Sequence, residues 1–315
     1  MLRLLGLRAV LGLVTLFAVC VFMFTAVELL PYDVAAAVLG QGATPETLVA
    51  YRHELGLDRS AYVRFFEWLG KAVHGDLGIS LTNQRDILTS IKPRFINTMF
   101  LAGYAALIAV PVAIGLGILA AINEGKWIDR LANIISLATI SLPEFLIGYL
   151  LISFFAIRME WFESQATVFP DMDVWHRIYI VLLPAIALTM LVTAHILRTT
   201  RSAVLSVMQQ PYIEMAFLKG LSRARVILVH ALPNAAAPII SVVALNLAYL
   251  VAGVVVIEIV FVYPGVGQFM LDGVTKGDVP VILAGALIFA GAFIGLNTLA
   301  DLLIILVNPR LRHPK

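Results

Sequence analysis

The chain has one cysteine among its 315 residues, Cys20. Without a second thiol there is no intrachain disulfide and no cysteine-built metal site. Charge is nearly as scarce. Asp, Glu, Lys and Arg make up 13% of the residues, about half the roughly 25% of a soluble domain. Hydrophobic residues make up 61%, well above the roughly 45–50% of soluble domains. That balance excludes a water-soluble globular fold and indicates an all-α integral membrane protein. The net charge is +2, and the basic residues are scattered or sit at the ends of apolar runs. No stripe suited to nucleic acid is present.

Several chemistries are missing as well. No Gly-x-x-x-x-Gly-Lys-Ser/Thr occurs; Gly70-Lys71 and Gly125-Lys126 lack both the upstream glycine and the following hydroxyl. The chain therefore has no phosphate-cradling loop of its own, and no cofactor is expected on it. Neither His-Glu-x-x-His nor Gly-x-Ser-x-Gly is found, so no catalytic residue is assigned. The histidines at 53, 74, 176, 195, 230 and 313 show no helical pairing, and no metal site is expected. Internal repeats and low-complexity segments are absent too.

What the chain does have is long apolar runs. Six transmembrane helices are predicted, near 9–30, 96–122, 131–157, 178–198, 236–260 and 280–307, each close to the ~20 residues a bilayer requires. Arg3 and Arg8 precede the first run, which continues to Val27 without a charge and lacks a small-x-small cleavage site. It is expected to be an uncleaved helix. Phe17-Ala18-Val19-Cys20 has the outline of a lipoprotein site, but Val19 is a poor residue before the cut. Pro143 and Glu144 should kink or break the third span. Pro184 lies inside the fourth, and Pro238 sits near the start of the fifth, where proline is tolerated.

Loop charge sets the expected orientation. With the N-terminus inside, the cytoplasmic pieces carry twelve basic residues and the two short outer loops carry three, Arg158, Arg177 and Lys276. The long loop 31–95 holds seven basic and seven acidic residues, and long loops translocate largely regardless of charge. Both termini are expected in the cytoplasm. The loop 31–95 should form a small helical extracytoplasmic subdomain. Thr44-Pro45-Glu46 is a helix start; Leu48, Tyr51 and Leu55 share a face, and Gly56 ends the helix. A second helix from Ser60 carries the stripe Tyr62, Phe65, Phe66, Leu69 and Val73, and Gly75 closes it. The pair reads as a lid on the membrane helices or as a docking surface. Between the last two spans, 261–273 is rich in glycine and apolar residues, and irregular backbone there could dip into a cavity mouth.

Acids inside the spans cost a few kcal/mol unless paired or wet. Glu144 stands beside the opened carbonyl of a proline break, and either a structural hydrogen bond or contact with solute would explain it. Glu258 and Asp301 lie towards span ends and read as packing groups. Ser241 and Asn246 share the fifth span with Gly253 and could line a polar path or glue helices together.

The polar island between spans four and five is the most specific segment. It reads Glu214-Met-Ala216-Phe-Leu-Lys-Gly220, then nine residues, then His230-Ala-Leu232-Pro233-Asn. This resembles the EAA motif of ABC-importer permeases, with Glu214, Ala216, Gly220, Leu232 and Pro233 on motif positions. Met215 replaces the second motif residue and His230 replaces an isoleucine. His230 is usual in the peptide/nickel family, which the whole chain resembles in its B-type, long-loop form. The likeness also rests on Leu30-Pro31-Tyr32-Asp33, Glu54-Leu-Gly-Leu-Asp58, His74-Gly-Asp-Leu-Gly-Ile-Ser80, Arg198-Thr-Thr-Arg201, Lys219-Gly-Leu-Ser222, Tyr263-Pro-Gly-Val-Gly267 and Asn308-Pro-Arg310. Tyr32 and Val34 depart from the Gly and Pro common in that family.

The resemblance implies a type I importer permease in a bacterial inner membrane. Its expected divisions are an N-terminal helix 1–30, the outer loop 31–95 and a core 96–315 with a coupling region 199–235. Expected partners are a second permease subunit in a heterodimer, two cytoplasmic ATPases carrying ATP and Mg, and an extracytoplasmic binding protein. Glu214, Ala216, Gly220, Leu221, Leu232 and Pro233 would engage the ATPase, with Gly220 as the corner and Glu214 as a polar anchor. Arg223 and Arg225 read as membrane-edge cations. Glu144, Ser241 and Asn246 would belong to the translocation path. Tyr263, Pro264, Gly265, Gly267 and Asp272 would form an extracytoplasmic gate loop. Peptides, opines, nickel chelates and glutathione-like compounds all remain open as solutes. The competing classes are an ion-coupled secondary transporter, for which only Glu144 is an ionisable midplane group, and an intramembrane enzyme, for which no catalytic pair is visible.

Overall fold

The computed structural model describes residues 2–29, 35–36, 43–169 and 171–307. Pro31-Tyr32-Asp33-Val34 and Asn308-Pro309-Arg310, which the family resemblance used, lie outside the described residues. Among the described residues there is no strand, only an isolated antiparallel bridge between Ile79 and Asp86. Helices run over α1 Leu2–Glu28, α2 Pro45–Glu54, α3 Ala61–Val73, α4 Ile87–Ile122, α5 Trp127–Ser141, α6 Glu144–Leu151, α7 Val174–Met208, α8 Pro211–Leu218, α9 Arg223–Val226, α10 Leu232–Val260, α11 Val266–Lys276 and α12 Val279–Val307.

Five helical stretches are long and apolar enough to cross a bilayer, and a bent pair makes a sixth if it is one span. That pair is the third expected span. Trp127–Ser141 and the stretch Glu144–Arg158 meet at 107°. Pro143 is the cause: the residue before a proline is pushed out of the helical region, and Leu142 is extended at φ −94° and ψ 134°. Helix α4 starts well before the predicted 96. Lys92, Pro93 and Arg94 interrupt the apolar run, but Asp86 caps the helix, its carboxylate accepting from the Thr89 N–H at 2.7 Å and the Thr89 hydroxyl at 2.6 Å. Those bonds hold the exposed Asp86 carboxyl below the usual carboxylate range. Helix α7 likewise outruns its apolar core at both ends. Asp173 caps it through the Trp175 and His176 N–H groups.

Two compact units are present, one of 6–98 with 264–294, the other of 1–5 and 99–263 with the chain from 295 onward. In the first, Thr44 caps α2 as the sequence indicates, accepting from the Thr47 N–H at 3.3 Å. Leu48, Tyr51 and Leu55 are half-buried together. The apolar stripe expected on α3 divides: Phe65 is buried, edge-on to Phe24 at 5.3 Å, while Tyr62, Phe66 and Val73 are exposed. The unit's core joins Leu77, Ile87 and Ile91 to Val266, Phe269, Val281 and Ala284. One carboxylate pins its outer-loop segment. Asp278, only 1% exposed, accepts from the Ser80 hydroxyl at 2.5 Å, the Thr82 hydroxyl at 2.9 Å, and the Leu81 and Thr82 N–H groups at 3.2 Å. A buried carboxylate needs that many donors.

In the second unit α4 packs tightly on α7. A Cβ at Gly117 would lie 2.7 Å from Thr200 Cβ and 2.8 Å from the Leu197 carbonyl oxygen, so only glycine permits this approach. The Thr189 hydroxyl adds a bond to the Ala105 carbonyl at 3.2 Å.

Candidate functional site

The polar island forms a compact knob. Helix α8 begins at Pro211, a residue suited to the first turn. Ile213 and Ala216, one turn apart, point inward and join Val204, Val226, Ile227, Ala231 and Ala235 in one buried cluster. Gly220 ends the helix at φ +78°. Its N–H donates to the Phe217 carbonyl at 2.8 Å and the Leu221 N–H to the Ala216 carbonyl at 3.4 Å. This is the Schellman pattern, which places glycine in the left-handed position and closes it with an apolar contact. Leu221 makes that contact by packing on the cluster, as does Leu232. The outward face is apolar but uncovered. Met215 is 56% and Leu218 74% exposed, with Glu214 and Tyr212 exposed beside them. Pro233 is exposed at the start of α10. A π-helical turn, Ile227–Ala231, precedes it, consistent with the donor that proline removes.

The same unit holds a buried ion pair. Asp129, 4% exposed, receives Arg201 side-on through Nε and Nη2, the latter at 2.8 Å. The Gly125 N–H and the Asn133 amide, each at 2.9 Å, complete its shell. A two-pronged Arg–carboxylate contact is the strong, orienting kind. Arg223 is also committed, to Glu124 and the Ala121 carbonyl. The loop 123–126 that supplies Glu124 could not be placed near Arg223 from the sequence.

A cavity of about 750 Å³ opens in the same unit, between α6, α7 and α10. Glu144 and Asn246 line it, together with His195 and Tyr249. The rest of the wall is apolar apart from Gly253. Asn246 is nearly buried and its amide donates to the Val242 carbonyl at 2.8 Å. Ser241 is not on this wall. Its hydroxyl returns to the Ala237 carbonyl at 2.9 Å, the common fate of a helical serine.

The segment 261–273 is mostly helix. Irregular backbone is confined to 261–265, and the rest belongs to α11, where Val266, Gly267, Phe269 and Gly273 are buried. Gly273, read in the sequence as part of a loop, is a close-packing position: a Cβ there would sit 2.8 Å from Val281 Cγ1. Gly265 caps this helix, and the Pro264 carbonyl accepts from the Asn97 amide at 2.9 Å. Asp272 accepts from Gln268 at 3.2 Å. Tyr263, 0% exposed, has its phenol pushed up to about 12 by burial, with Arg177 opposing the shift.

Residues 113–313 match the family described as binding-protein-dependent transport system inner membrane component, and residues 1–102 match the N-terminal membrane component of such systems. The chain belongs to this family. It is the permease subunit of an ABC importer, a multi-pass inner-membrane protein and a translocation subunit. The permease is 36% identical over 307 residues, 97% of its own length and 98% of the relative's, to the glutathione transport system permease protein GsiC of Escherichia coli O6:H1. Over the same coverage it is 35% identical to GsiC of Escherichia coli K12 and of Shigella dysenteriae serotype 1. The reading as an ion-coupled secondary transporter gives way to this membership.

Sequence reasoning missed His195 and the Asp129–Arg201 pair. His195 had a signal: Leu188, Leu191, Val192 and His195 recur at i, i+3, i+4 and i+7, and all four line the cavity. The ion pair had none, since its partners are 72 residues apart.

Proposed function

We propose that this permease forms half of the translocation pore of an ATP-driven importer for a peptide or peptide-like solute, with a glutathione-like compound the first candidate from the names of its relatives. The observation that carries this is the knob at 211–221. Its inner face is anchored by Ile213 and Ala216, and its outer face leaves Met215 and Leu218 uncovered. Uncovered apolar side chains on a rigid projection suit a protein groove. We assign that groove to a cytoplasmic ATPase, with Glu214 as the polar contact and Gly220, Leu221, Leu232 and Pro233 holding the corner.

The complete importer would hold a second, non-identical permease, two ATPases carrying ATP and Mg, and an extracytoplasmic binding protein. Alternating access then follows from differential binding: ATP favours the closed ATPase pair, and the knob passes that preference to the spans. The basic-residue asymmetry supports both termini and 199–235 on the cytoplasmic side, with 31–95 outside. The N-terminal helix, outer loop and core at 1–30, 31–95 and 96–315 remain the working divisions, and 263–267 with Asp272 the working gate segment.

The test is to identify the solute that copurifies with the cognate binding protein and follow its uptake into proteoliposomes holding all subunits. The expected result is a peptide-like solute whose uptake needs ATP, Mg and both permeases. Uptake driven by a proton or sodium gradient without ATP would overturn the proposal, as would a solute without an amide bond.

A further inference from the structure

Glu144 stands in an unusual position for a membrane carboxylate. It opens α6 at the broken span and lines the cavity. Among the described residues its carboxylate has no hydrogen-bond or ion-pair partner. It lies against Gly253: a Cβ there would be 3.1 Å from Oε2 and 3.3 Å from Oε1. Both oxygens therefore rest on bare backbone at the wall. No lysine or arginine lines this cavity; His195 is the one basic side chain on its wall, and among the described residues no ion pair joins it to Glu144. Asn246 adds a second acceptor through its amide oxygen, while one of its two amide N–H groups donates to the Val242 carbonyl. The wall thus offers oxygen acceptors on an apolar background, and its complement is a donor with positive charge.

We infer that Glu144, seated on Gly253, receives an ammonium group of the solute as it crosses this cavity. The inference rests on the reading of the cavity as the solute's path. A carboxylate at membrane depth is unfavourable unless paired or wet, and a passing ammonium supplies the pair. One carboxylate in an open cavity also holds weakly enough for release, which conduction requires. An anionic solute without a cationic group would meet only repulsion.

The test uses the assembled importer in proteoliposomes, with Cys20→Ala and a reporter, Tyr249→Cys, on the 65%-exposed wall position. Labelling rates at 249 are compared for the cationic aminoethyl and the anionic sulfonatoethyl methanethiosulfonates. With Glu144 the cationic reagent should be favoured, and Glu144→Gln should lower that preference by about tenfold, the effect of one nearby charge in a partly wet site. Glu144→Asp should keep most of the preference, which a purely structural role would not require. Equal preference with Glu and Gln would overturn the inference; it would mean a carboxylate already neutralised, for instance by the second permease. Failure of both reagents to reach 249 in every nucleotide state would instead overturn the path reading itself.

Discussion

Gly220→Val is expected to leave the permease in the membrane at normal levels and to reduce ATP-driven uptake by about tenfold or more. The reason is conformational. Gly220 holds φ +78°, where an L residue costs about 1–2 kcal/mol and a β-branched one more. A Cβ at 220 would meet nothing within 4 Å of it in the chain itself, so steric clash inside the subunit is not the cause. The penalty instead opens the corner that closes α8 through the Phe217 and Ala216 carbonyls, and the Met215–Leu218 face loses its angle. Gly220→Asn separates the two causes, because asparagine tolerates the left-handed region. It should retain most uptake, while Gly220→Ala falls between. Equal uptake by Val, Ala and Asn variants would mean that the corner is only a connector.

The second large effect is on folding. Arg201→Met should cost about 3–5 kcal/mol, the usual result of stranding one member of a buried ion pair. Asp129 is the stranded group, 4% exposed, and the Gly125 N–H and Asn133 amide that remain do not replace a guanidinium. Against a total stability of about 5–15 kcal/mol, that loss should show as sharply reduced folded protein in detergent. Asp129→Asn with Arg201→Met removes both charges and should recover most of it. A role of Arg201 in topology alone predicts full rescue by Arg201→Lys and none by the neutral pair. The two-pronged geometry predicts only partial rescue by lysine.

How much of this was legible depends on how local each signal is. Thr44-Pro45-Glu46 and the glycine at 220 act within one turn of the chain, and both were read correctly as a helix start and a corner. The break at Pro143 was legible for the same reason. The ends of α4 and α7 were not, because hydropathy stops at Lys92–Arg94 and Arg198 while capping and packing carry the helices further. The 261–273 segment was read as irregular because its glycines suggest loops, whereas Gly273 serves close approach to Val281. Ser241 and Asn246 are grouped in the sequence because they share one span, but only Asn246 lies on the cavity wall, since a five-residue separation turns the two side chains to different faces of the helix. Pairings such as Asp129 with Arg201 and Asp278 with Ser80 depend on the tertiary fold and leave no trace in one sequence.

The central claim is that the outer face of α8 sits in an ATPase. Its most direct measurement is site-specific photo-cross-linking in living cells from Leu218, the most exposed large apolar side chain on that face at 74%. The expected result is a single major product in which mass spectrometry identifies a P-loop ATPase, with the yield changing as nucleotide is depleted. Cross-links from Leu218 only to lipid or to extracytoplasmic proteins, with the ATPase still copurifying, would contradict the account.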